Sequence, residues 1–135
     1  MPTYLEVYID GASAGNPGPS GIGLFIKGEG HHVQLSEYVG IYDNHTTEFM
    51  ALIRGLEEAK KLTSGIVSVK SDSQIVVAAV EKQYAKNPVF KELLDQALEI
   101  AQSFEFFFIK WIPDSNNRAA DQLARKAIQQ KQTLD

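Results

Sequence analysis

The chain contains no cysteine. That excludes a disulfide framework, a cysteine nucleophile and a thiolate metal site, and it fits a reducing compartment. Long apolar runs are missing too. The longest candidate, Phe106 to Trp111, is strand-sized and interrupted by Lys110, far short of the roughly 20 residues of a membrane span. Met1 to Glu6 lacks the basic start and apolar stretch of a signal peptide. Histidine is scarce: there are three, His31, His32 and His45. The first two fall in one strand-like segment, which disfavours a nucleophilic triad. Positive charge is short as well. Thirteen Lys and Arg against 17 Asp and Glu leave a net charge of -4, which argues against holding nucleic acid mainly by counterion release. These absences predict a cytoplasmic monomer that does not engage a membrane.

What is present is a chain of 135 residues, 44% hydrophobic, enough for one domain with a real core. That domain is expected over residues 1–130, with a polar tail over 131–135. Tyr4 to Asp10 alternates, with Leu5, Val7 and Ile9 on one face, and reads as a strand ending in a carboxylate. Gly21–Lys27 and His31–Val39 read as further strands joined by the turn Gly28-Glu29-Gly30. Phe49, Leu52, Ile53 and Leu56 recur at helical spacing within His45–Leu62. Ile66–Lys70 is a short strand. Asp72 or Ser73 then caps a helix that carries Ile75, Val76, Ala79 and Val80. Pro88 opens another helix, running to about Gln102. Glu105–Ile112 is an apolar strand expected to be covered on both faces, since exposure would invite aggregation. A last helix carries Ala120, Leu123, Ala124 and Ala127. Right-handed crossovers make the two later strands parallel to the first. The expected class is therefore α/β: a five-stranded mixed sheet, three antiparallel strands plus two parallel, with helices on both faces.

Four carboxylates stand at informative places. Asp10 follows an apolar strand, Asp72 follows another, and Glu48 and Asp121 lie early in two helices. Each has an ordinary explanation: a turn residue, a helix cap, or an acid favoured by a helix dipole. Taken together they weigh more, because parallel strands bring their C-terminal ends to one sheet edge, where ligands bind in open α/β sheets. Crowded carboxylates call for a hard cation, and a pair of divalent ions suits phosphodiester hydrolysis.

The motifs Tyr8-Ile9-Asp10-Gly11-Ala12-Ser13 with Gly15-Asn16-Pro17-Gly18-Pro19, Asn44 with Glu48, Ser71-Asp72-Ser73-Gln74, and Asn117 with Asp121-Gln122-Leu123-Ala124 resemble those of type 1 ribonuclease H over essentially the whole chain. The resemblance implies the ribonuclease H-like fold and hydrolysis of the RNA strand of an RNA/DNA hybrid, leaving a 3′-hydroxyl and a 5′-phosphate. It implies two Mg²⁺ (or Mn²⁺) ions held by Asp10, Glu48, Asp72 and Asp121. Asp10 would bridge the ions, Glu48 and Asp72 would serve the leaving-group side, and Asp121 the side that activates water. Gly11, Ala12, Ser13, Asn16, Asn44, Gln74 and Asn117 are implied as substrate contacts, the Gly11–Ser13 loop among them reading the 2′-hydroxyl.

The chain also departs from that pattern. The loop Ile112 to Asn117 lacks the histidine that many relatives place before the last aspartate, which points to slower or more metal-dependent turnover. The basic handle between the middle helices is absent, as in the compact branch of the family. Lys82, Tyr84 and Lys86 remain as candidates for DNA-strand contact. Asp43 stands where relatives often place a Thr beside a phosphate pocket. Two further readings stay open at this level: a nuclease of the same fold acting on another nucleic acid, and a weakly active or non-catalytic nucleic-acid-binding protein.

Overall fold

Leu5, Val7 and Ile9 project to one side of β1 (Tyr4–Ser13), and burying that row makes β1 the centre of the molecule. In the computed structural model, which describes residues 3–134 and side chains as far as Gln132, nine further elements follow. They are β2 (Gly18–Gly28), β3 (His31–Tyr42), α1 (Asn44–Leu62), β4 (Ile66–Ser71), α2 (Gln74–Lys82), α3 (Pro88–Ala101), β5 (Phe106–Trp111), a 3₁₀ turn (Asp114–Asn116) and α4 (Arg118–Leu134). The strand order is β3-β2-β1-β4-β5. β1 to β3 form an antiparallel meander, and β4 and β5 return parallel, as right-handed crossovers require.

The main core lies between the sheet and α1. Phe49, Leu52 and Leu56 meet Val7, Ile9, Ile22 and Leu24, all essentially solvent-free. α3 packs on α1, and α2 leans on β4 and β5. Within α2, Val76, Ala79 and Val80 are buried as expected, while Ile75 faces water. In α3, Phe90 rather than Val89 joins the core. The opposite sheet face carries α4 alone, resting on β1, β2 and β3. Gly21 and Gly23 make that approach possible, since a Cβ on either would run into α4 backbone.

Three expectations change. β1 does not end at Asp10 but continues through Ser13, paired with β2. The segment 131–134, expected as a tail, is helical backbone continuing α4; Asp135 lies outside the described residues. β5 is covered on one face only. Phe107 and Ile109 pack inward, but Phe106 and Phe108 are 51% and 56% exposed. The physical reason is the reach of α4, which crosses the meander and leaves the two parallel strands bare on its side. Among the described residues, no helix is long and apolar enough to cross a membrane.

Candidate active site

β1 and β4 run in parallel register, with Ile9 opposite Ser71. The next residue of each strand is therefore a carboxylate, and Asp10 and Asp72 come side by side. β4 stops there while β1 goes on, so Gly11 to Ser13 keep a strand partner on the β2 side only. Their other backbone edge opens onto a cleft of about 840 Å³. Gly11 has a second constraint: a Cβ there would meet the Thr47 carbonyl of α1 at 2.6 Å. The glycine lets α1 approach closely and so brings Glu48 to the strand ends.

Glu48 lies beyond the first turn of α1, which holds no acid. A dipole role, which fades past that turn, explains its position less well than its place in the cleft does. The cap of α1 is Asp43, whose carboxylate accepts from Thr46 N at 3.2 Å. Likewise α2 is capped by Ser73, which accepts from Val76 N at 3.2 Å. Of the two cap candidates, Ser73 takes the amide and leaves Asp72 free for the cleft. Asp121 does sit in the first turn of α4, where Arg125 Nε donates to both its oxygens at 3.0 and 3.1 Å.

All four acids line the one cleft. Burial, then the neighbouring charge of Asp72, then Asp121 and Glu48, push the Asp10 carboxyl up to about 9. Burial also raises Asp72, against the hydrogen bond from Asn117. Burial raises Glu48 too, partly offset by Ser73 and by His45, whose Nδ1 lies 3.4 Å from Glu48 Oε1. Acids shifted this way at the end of a strand pair mark an electrostatic conflict that a cation would relieve.

Among the described residues no three acids or imidazoles are closed into a ready-made metal cage. The donor set nevertheless suits a hard divalent ion. The four acids present carboxylate oxygens around an open cleft, and Mg²⁺ typically takes one or two carboxylates, keeps waters and borrows phosphate oxygens.

The expected substrate contacts divide. Gly11, Ala12, Ser13, Asn44 and Gln74 line the cleft. Asn16 lies outside it, its Oδ1 accepting from Asn44 N at 3.0 Å, so it anchors the start of α1. Asn117 is a correction. It is 1% exposed, and its Nδ2 donates to the Ile9 carbonyl at 2.8 Å and to Asp72 Oδ2 at 3.3 Å. It does not line the cleft; its amide holds Asp72 against the end of β1. Sequence reasoning singled out neither His45 nor Arg125 for the site; both, with Trp111, face the cleft. Helical spacing was the available signal for two of them, with His45 at i-3 from Glu48 and Arg125 at i+4 from Asp121. Trp111 forms part of the rim, its Nε1 donating to the Asp72 carbonyl at 3.1 Å.

A family model described as reverse transcriptase-like matches residues 9–127. The chain is 40% identical over 127 residues to EbsB of Enterococcus faecalis, covering 93% of this chain and 94% of that one. It spans 35% of the length of its mycobacterial relatives. Among solved structures it is similar to RNase H1 from the halophilic archaeon Halobacterium salinarum, with a TM-score of 0.88 at 30% identity, covering 94% of this chain and 98% of that one. It is also similar to LC11-RNase H1 in complex with RNA/DNA hybrid, with a TM-score of 0.87 at 32% identity and coverage of 94% and 98%.

Proposed function

The chain belongs to the ribonuclease H family, and from that membership we propose that it hydrolyses the RNA strand of RNA/DNA hybrids in a divalent-metal-dependent reaction. Water attacks the phosphorus, the bond to the 3′-oxygen breaks, and the products carry a 3′-hydroxyl and a 5′-phosphate. The observation that carries this reading is the convergence of Asp10, Glu48, Asp72 and Asp121 on one cleft, with Asp10 held far above its ordinary range by burial first and then by its acidic neighbours. LC11-RNase H1, a structural neighbour in complex with RNA/DNA hybrid, supports the substrate class.

In this proposal Asp10, Glu48, Asp72 and Asp121 hold two Mg²⁺ or Mn²⁺ ions, which would supply a nucleophilic water and stabilise the departing oxygen. The protein's own part is placement. Asn117 fixes the Asp72 carboxylate. Arg125 pairs with both oxygens of Asp121 until a cation shares or displaces it. The open backbone edge of Gly11 to Ser13, with Asn44 and Gln74, offers short neutral donors and acceptors to sugar edges. Such groups suit recognition of the 2′-hydroxyl, which DNA lacks. We further assign the activity to a single domain that includes the whole of α4, working as a cytoplasmic monomer.

The test uses labelled RNA/DNA hybrid, RNA duplex, DNA duplex and single strands, each in Mg²⁺ and in Mn²⁺, beside Asp10→Asn. Cleavage confined to the hybrid and abolished by the substitution is expected. Cleavage of DNA, or binding of hybrid without cleavage in either metal, would overturn the proposal.

A further inference from the structure

We propose that the half of the sheet left bare beside α4 is a second nucleic-acid site, a stacking platform for a single strand. It is separate from the cleft, and measuring it does not require the activity proposed above.

The strand registers define this face. On β1 it carries Tyr4, Glu6 and Tyr8, which stand opposite Lys27 and Phe25 of β2 on one side and Ser68 and Lys70 of β4 on the other. On β5, Phe108 and Lys110 stand opposite Ser68 and Lys70. The rings are organised. Tyr8 stacks on Phe25 with centroids 5.9 Å apart, and Phe25 meets His32 edge-on at 5.1 Å. Phe106 and Phe108 lie 6.5 Å apart and within 13° of parallel. Lys27 Nζ sits 5.5 Å from the centre of the Tyr8 ring.

Charge selects the occupant. The chain as a whole is negative, yet this band brings Lys27, Lys70 and Lys110 together. Its central acid, Glu6, accepts from the Tyr8 hydroxyl at 2.9 Å. The other acids, Glu29 and Glu105, flank the end of the sheet remote from the cleft. Flat apolar rings interleaved with ammonium groups match a strand that offers bases to stack and phosphates to pair. A second copy of the chain fits poorly, because a two-fold contact would set these lysines against one another.

Fluorescence anisotropy of fluorescein-labelled oligo(dT) with the full chain in Mg²⁺ tests this. Phe106→Ala with Phe108→Ala should weaken binding at least tenfold, because stacking on one ring alone contributes about that much. Cleavage of a short blunt hybrid should stay at the wild-type rate. Lys70→Gln with Lys110→Gln, whose effect does not depend on the phenylalanine variant folding, should make the salt dependence shallower by about 0.7 per lysine. Oligo(dT) binding unaltered by either pair overturns the proposal. So does a wild-type dimer, seen by light scattering, that the phenylalanine pair converts to monomer, which would give the face to a second copy.

Discussion

Asn117 Nδ2 donates to Asp72 Oδ2 across 3.3 Å from a position that is 1% exposed. The same nitrogen holds the carbonyl of Ile9, the residue before Asp10. One buried amide thus ties the α4 entry loop to the Asp72 carboxylate and to the β1 backbone just before Asp10. Asn117→Ala leaves a buried carbonyl without its donor, which costs about 1–3 kcal/mol. Loss of such an outer partner typically costs about 10–100-fold in activity or metal affinity. The expected outcome is a fall in kcat on hybrid of that order with KM little changed, because Asn117 is buried behind Asp72 and does not line the cleft. Asn117→Asp, which sets a third charge beside Asp72 and Asp10, should be worse than Ala. Steady-state kinetics with thermal unfolding of each variant checks both.

The Asp10 carboxyl, ordinarily near 3.8, is raised to about 9 by burial and by its acidic neighbours. Between those values the folded state binds more protons than the unfolded chain, so stability falls as pH rises. In EDTA the Tm should drop from pH 5 toward pH 8.5. Asp10→Asn should flatten that slope and raise the Tm at pH 8 by a few degrees, the equivalent of about 1 kcal/mol. Added Mg²⁺ should raise the wild-type Tm and leave the variant's nearly unchanged. A slope that persists in Asp10→Asn would assign the conflict to other groups.

Arg125 is mostly exposed, and it pairs with Asp121 at the cleft. A cation entering the site must share or displace it. An exposed pair of this kind is worth about 0.2–1 kcal/mol, so Arg125→Gln should leave the Tm almost unchanged. It should tighten the apparent Mn²⁺ affinity by a factor of about 2 to 5, read by titration calorimetry. Weaker Mn²⁺ binding in the variant would mean that Arg125 orients Asp121 for the ion instead of competing with it.

The mixed sheet and the four elements that carry the acids were legible because periodicity and parallel crossovers leave few topologies for this pattern. The four acids were legible because the registers that align Asp10 with Asp72 follow from that topology. Other features depended on distances that no local pattern carries. Asn117 reads the same on paper whether it faces substrate or is buried under Asp72. The extension of β1 past Asp10 depends on where β4 stops. The bare face of β5 depends on how far α4 reaches, and an apolar run of that length fits one-sided and two-sided cover equally.

Gly23 shows what the fold requires to place Asp121. A Cβ there would collide with the backbone of Ala120 and Ala124 in α4, and neither can yield without shifting the helix. Overpacking of this kind typically costs about 1–3 kcal/mol or more. Gly23→Ala should lower the Tm by several degrees and reduce activity beyond the loss of folded protein, since α4 carries Asp121. Activity per folded molecule, taken from denaturant curves run beside the assay, separates the two effects.

Asp43 has two possible consequences for the substrate. As a bare carboxylate beside a phosphate site it would repel hybrid; as a cap its charge is spent on its own helix. Its Oδ2 accepts from Thr46 N, and although burial works to raise its pKa, those hydrogen bonds outweigh burial and hold it below the ordinary carboxylate range. The helix N-terminus partly neutralises the charge, which argues for the cap. Asp43→Ala should therefore cost about 1 kcal/mol of stability, with the difference shrinking as pH falls and the wild-type carboxylate is protonated. Asp43→Thr should retain most of the cap. Hybrid KM should be close to wild type in both variants. A marked drop in KM for Asp43→Thr at low salt, fading at high salt, would show instead that the carboxylate acts on the substrate's phosphates.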